Sequence, residues 1–119
     1  MNSEPLMEYR RFGKTEEQIS VITLGGMRFK HGWTAPRNHL PKDSIQNCIS
    51  TTRMALNSGI NHIETAHGYM KSEHLFGVAL KELDVPRNQI KMMTKGAPTT
   101  VDETRKLVEE QLKALCLDY

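Results

Sequence analysis

Residues 59–73, GINHIETAHGYMKSE, decide the fold. A short apolar stretch, 60–64, ends in the carboxylate of Glu64 and opens into a loop of small residues that carries Tyr69. Ser72 and Glu73 then start a helix. Strand ends that open into loops before helices are where α/β folds place their chemistry. A carboxylate and a phenol at such a point suggest acid–base work on a substrate. The nearest strand end downstream, MMTKG, adds Lys95.

Outward from this stretch the chain alternates. Residues 8–12 and 18–24 read as a hairpin leading into a first strand, which Gly25 and Gly26 end. Residues 29–42 hold Gly32, Trp33, Pro36 and Pro41 without periodicity and read as a long loop. A helix is expected over 43–58, with Ile45, Cys48, Ile49, Thr52, Ala55 and Leu56 on one face. Asp43 or Ser44 is its expected cap, and Gly59 its terminator. A second helix is expected over 72–83, and a third strand over 88–95. The Thr100–Glu103 spacing is that of a capping box. Behind it Val101, Thr104, Leu107, Val108, Leu112 and Leu115 trace a third helix. Strands alternating with helices imply a parallel sheet under helical cover. The expected organisation is an unstructured lead over residues 1–7, with Met7 as an alternative start, followed by one domain over 8–119. A fourth strand is due where the chain stops. Three parallel strands leave unpaired edges, so the expectation is a truncated chain open to self-association.

Composition narrows the class. The chain has 119 residues and a formal charge of +2, without a basic stripe, so nucleic-acid binding is not expected. No apolar run approaches the roughly 20 residues of a membrane span. The N-terminus lacks the apolar centre of a secretory signal. Cys48 and Cys116 both fall on apolar helix faces, which suits reduced, buried thiols and a cytoplasmic location. Neither a metal site nor a disulfide is indicated by their spacing.

The candidate residues have plain readings too. A Glu or Lys at a strand end is usually a solvated rim residue, and Tyr69 can cap the helix after it. As an ordered set on two adjacent strand ends, Glu64, Tyr69 and Lys95 read as functional. His62 reads as a packed, hydrogen-bonded residue. His67 and Trp33 are candidate substrate contacts or plain loop residues. Gly25 and Gly26 let a ligand approach the backbone or merely end a strand. They form no GxGxxG fingerprint.

With these pieces in order, the chain resembles the N-terminal part of an aldo/keto reductase. The carriers are YRRFGKTEEQISVITLGGMRF, GINHIETAHGYMKSEHLFG, the TKG after the third strand, and the closing LDY. The resemblance implies a partial (β/α)8 barrel with a hairpin at its bottom, a nicotinamide cofactor, usually NADP(H) and otherwise NAD(H), and reduction of a small-molecule carbonyl. It puts the catalytic tyrosine at Tyr69 and the lysine at Lys95. The family's aspartate position falls on Glu64, a departure that lengthens the side chain by one methylene. Gly25, Gly26, Met27 and Glu64 match the cofactor side. The glutamate form also resembles a bacterial subgroup whose members often carry a C-terminal iron–sulfur segment. Two other readings stand beside the reductase: a non-catalytic cofactor-sensing or regulatory barrel, and an inactive half-barrel that needs a partner chain.

Overall fold

The computed structural model describes residues 6–119. Most of the expected amino-terminal lead therefore lies outside the described residues. Met7 is half-buried, and its Cβ lies 2.8 Å from where a side chain at Gly59 would begin.

Strands β1 (Tyr9–Arg11) and β2 (Gln18–Ser20) form the antiparallel hairpin. The apolar run 18–24 is not one strand. It bends after Ser20 and resumes as β3 (Leu24–Gly25) in a second sheet. The cause lies in Ser20 and Asn61. The Ser20 amide donates to Asn61 Oδ1 (2.9 Å), and Asn61 Nδ2 donates to Gln18 O (2.9 Å). Ser20 Oγ turns back to Ile22 O (2.7 Å). These bonds hold the hairpin under the start of the next strand, where a barrel has its bottom.

Helix α1 (Lys42–Asn57) follows the long loop, then β4 (His62–Glu64), α2 (Ser72–Glu82), β5 (Lys91–Met93) and α3 (Val101–Leu115). The second sheet is parallel, in the order β3-β4-β5. Its central residue, Ile63, is completely buried and packs with Phe29, Cys48, Leu75, Phe76, Ala79, Leu80 and Ile90. Each large side chain of this set contributes about 1.5–3 kcal/mol by leaving water. This apolar layer therefore outweighs any single polar contact in the molecule. The arrangement is the expected one: a hairpin and three β/α units of a (β/α)8 barrel.

Several local expectations are corrected. Neither Asp43 nor Ser44 caps α1; Pro41 holds the cap position with no side-chain bond. Asp43 pairs instead with Lys30 and His31, while Ser44 Oγ donates to Lys30 O. Both residues serve the preceding loop. The Thr100 cap is present, its Oγ1 accepting from the Glu103 amide at 3.1 Å, but Glu103 reaches back to Thr99 rather than to Thr100. The apolar face of α3 is only partly covered. Gln111 and Leu115 are buried, whereas Val101 and Val108 are exposed. Among the described elements α2 is the main neighbour of α3, with Leu107 beside Gly96 and Gln111 on the end of the third parallel strand. Cys116 is exposed and not buried, because it forms the left-handed turn (φ +56°) that ends α3. Cys48 is buried as expected, and burial pushes its thiol up to about 12.

Two glycines mark close approaches. A Cβ on Gly26 would meet Ser72 Oγ at 2.4 Å and Phe76 Cε2 at 2.5 Å. One on Gly77 would meet Ala114 O at 2.1 Å, where α2 crosses α3.

Candidate active site

The site is built from three parallel strand ends that stay in register past the last paired residues. The Gly26 amide donates to Glu64 O (2.8 Å), the Thr65 amide to Met93 O (2.8 Å) and the His67 amide to Lys95 O (2.9 Å). The chain then turns tightly over His67–Tyr69, a single 3-10 turn closed by the Tyr69 amide on Ala66 O (3.1 Å). No side chain caps α2, so Tyr69 is not a helix cap. Its phenol is free for other work.

Lys95 and Glu64 come together at this rim. The Lys95 ammonium donates to the Glu64 carboxylate and to Thr65 O (2.8 Å). It stands 5.0 Å from the centre of the Tyr69 ring. Burial pushes the Lys95 pKa down, but hydrogen bonding and charge from Glu64 and the Tyr69 phenol outweigh it, and the net direction is up. The extra methylene of Glu64 therefore does not break the lysine–carboxylate contact. Since the Lys95 side chain is half exposed, the pair itself adds at most about 1 kcal/mol to stability. What it does is fix a permanent positive charge against a phenol.

Trp33 comes from the long loop to the same place. Its Nε1 donates to Met27 O (2.6 Å), and its ring lies 6.1 Å from that of Tyr69. His67 lies elsewhere: its Nδ1 is 3.4 Å from Glu73 Oε1. With Glu73, His74, Glu110 and Lys113 it lines a cavity of about 540 Å³ on the helical side of the turn. His62 is half-buried with Nδ1 3.0 Å from Thr23 Oγ1, as its reading required. Burial lowers its pKa, against a smaller upward pull from Glu64.

The cofactor-side residues divide. Gly25 is exposed, and a Cβ there would meet nothing nearer than Glu64 Oε2 at 3.8 Å. Its backbone is open to a ligand on the Glu64 side. Met27 is exposed as well. Gly26 is buried, and its missing side chain makes room for Ser72 and Phe76 of α2 rather than for a ligand.

Sequence reasoning missed the residues that hold this rim. Thr65 Oγ1 lies 2.7 Å from Ser72 Oγ, and Thr94 Oγ1 donates to Glu73 Oε2 at 2.6 Å. Gln111 Nε2 donates to Thr94 Oγ1 (3.3 Å) and to Lys95 O (3.0 Å). Arg37 Nη1 donates to His67 O and to Met70 O (3.0 Å). Lys71, completely buried, donates to Pro36 O. The Ser72-Glu73 pair is legible in the sequence, but as a helix start only. Nothing local announces Arg37, Lys71 or Gln111.

A parallel sheet under helical cover, with polar residues gathered at the carboxyl ends of its strands, is the arrangement of part of a (β/α)8 barrel. The family profile described as the aldo/keto reductase family matches residues 21–119, and the chain belongs to that family. It is 35% identical over 127 aligned residues to L-galactose dehydrogenase of Arabidopsis thaliana, covering 95% of this chain and 36% of that protein. To glycerol 2-dehydrogenase (NADP(+)) of Saccharomyces cerevisiae it is 40% identical over 65 residues, 55% of this chain and 20% of that protein. Among solved structures it superposes on a thermostable aldo-keto reductase in complex with the inhibitor epalrestat. The TM-score is 0.75 at 28% identity, over 95% of this chain and 40% of that one. The chain thus spans well under half the length of these relatives.

Proposed function

We propose that this chain supplies the acid–base side of an NAD(P)H-dependent carbonyl reductase, with Tyr69 as general acid. The observation that carries the reading is the Lys95 ammonium, paired with Glu64 and set 5.0 Å from the Tyr69 ring centre. A fixed cation beside a phenol stabilises the negative charge that develops on its oxygen as the proton is given up.

Gly25, Met27 and Glu64 border the open backbone where a nicotinamide cofactor would lie, and the lack of any obstruction at Gly25 fits such a group. When bound, that cofactor supplies a hydride to the carbonyl carbon. Tyr69 donates its proton to the carbonyl oxygen. Lys95 stabilises the phenolate that remains, and solvent returns the proton. Glu64 keeps Lys95 oriented and charged. Trp33, anchored on Met27 O, forms an apolar wall for the substrate beside Tyr69. The names of two relatives, a glycerol dehydrogenase and an indole-3-acetaldehyde reductase, agree with carbonyl and alcohol substrates and with NADP or NAD.

Lys95→Met in the complete protein tests the reading. Turnover of a carbonyl substrate should fall sharply while the circular dichroism spectrum stays native. Unchanged turnover sinks the assignment.

A further inference from the structure

A long loop without secondary structure normally sits at the low-stability end of a molecule. The loop before α1 is different over residues 32–37. The Lys71 amide donates to Gly32 O (3.0 Å), and the buried Lys71 ammonium donates to Pro36 O. The Trp33 ring lies against Tyr69. Arg37 then reaches two backbone carbonyls with one nitrogen: His67 O and Met70 O. These carbonyls flank Tyr69 on either side.

Met70 shows why such a clamp matters. Its backbone has φ +56° and ψ −92°, a region that residues with a Cβ rarely adopt. Strain of this kind persists only where the surroundings over-determine the conformation. Arg37 holds the carbonyl of that very residue. We propose that Arg37 is a positioning residue for Tyr69. Its guanidinium holds Met70 in the strained turn and thereby sets where the phenol oxygen points. Arg37 does not meet the reacting atoms; it acts through the backbone on both sides of the acid. The proposal rests on Tyr69 being that acid.

The test compares Arg37→Met, Arg37→Lys and the double variant Arg37→Met with Met70→Gly. In the complete protein Arg37→Met should lower kcat by about ten- to a hundredfold, the scale of a roughly 1 Å misplacement, and leave the KM for cofactor unchanged. Arg37→Lys should recover part of the loss. Glycine adopts the Met70 conformation without strain, so the double variant should also recover kcat. A merely structural arginine would not be rescued by glycine at residue 70.

Amide hydrogen exchange on the 119-residue chain reads the clamp without any turnover. Arg37→Met should speed exchange at Tyr69 and Lys71 and leave the Leu75 amide, inside α2, as it was. Trp33, the only tryptophan, should change its emission with them. Unchanged exchange at Tyr69, or equal acceleration at Leu75, overturns the proposal. A kcat loss that glycine at residue 70 fails to restore overturns it as well. Tyr69→Phe with full turnover would instead remove the acid reading, while the exchange result still reports on the clamp.

Discussion

The carboxyl ends of β4 and β5 carry the two halves of one site, yet they are held by different means. The β4 end has a strand on each side, and Thr65 and Ala66 beyond it are buried. Among the described residues the β5 end has one strand neighbour, and Met93 is exposed. Both strands hand a threonine hydroxyl to the first turn of α2. Thr65 meets the neutral Ser72 hydroxyl, while Thr94 donates to Glu73, a carboxylate that is 2% exposed. Where the sheet supplies hydrogen bonds on both sides, a weak contact suffices. Where it supplies them on one side, a charged acceptor and Gln111 take over.

This contrast is open to direct attack. The largest effect expected is catalytic and lies on the β4 side. Tyr69→Phe in the complete protein should lower kcat about 10²- to 10⁴-fold, the range of a general acid. Steady-state carbonyl reduction measures it. Next comes Thr94→Val, which removes a donor from a buried carboxylate. A loss of about 1.5–3 kcal/mol in urea unfolding is expected, as for hydrogen bonds to charged groups. The His67 amide, bound to Lys95 O, should exchange faster. Thr65→Val should cost only about 0.5–1.5 kcal/mol, the range for neutral bonds, with the β4 pairing intact. Equal losses for the two threonine variants would erase the distinction between the strand ends.

The smallest expected effect concerns pH. Burial lowers the pKa of His62 on β4 and, together with Arg37, that of His74 on α2. In the unfolded chain both take up protons near 6.5, whereas folded they resist until lower pH. Their contribution to stability is complete above about pH 6.5 and is lost as pH falls through the folded values. Urea midpoints between pH 7 and pH 5 should show the decline, and His62→Gln should flatten part of it. Thiol labelling separates the two cysteines in the same chain. Cys116 should react with a disulfide reagent at once, and Cys48 only on unfolding.

Much of this was legible in the residues. The alternation of apolar runs with 3.6-residue periodicity placed the strands and helices of the second sheet within a few positions. Glu64, Tyr69 and Lys95 stood out because strand ends and the following loops are short. Bonds between distant segments were not legible. Arg37 reaches His67 across 30 residues, and Gln111 reaches Lys95 across 16. Such contacts depend on which loop lies over which strand end, and no local pattern encodes that. The α3 stripe misled for a related reason. Periodicity marks an apolar face but says nothing of what covers it. Cys116 sits on that stripe by spacing, but the helix has already turned left-handed there.

The strand order β3-β4-β5 follows the order of the sequence. α1 packs on α2, and α2 on α3. Each unit therefore docks on the one made just before it, although Leu24 meets Ile63 across 39 residues and Ile63 meets Met92 across 29. Parallel pairing across such separations is slow, so the order in which the units leave the ribosome matters. Synthesis delivers every new strand to an edge already in place. The hairpin, made first, is tied to the rest when Gly59 and Asn61 arrive to meet Tyr9, Ser20 and Gln18.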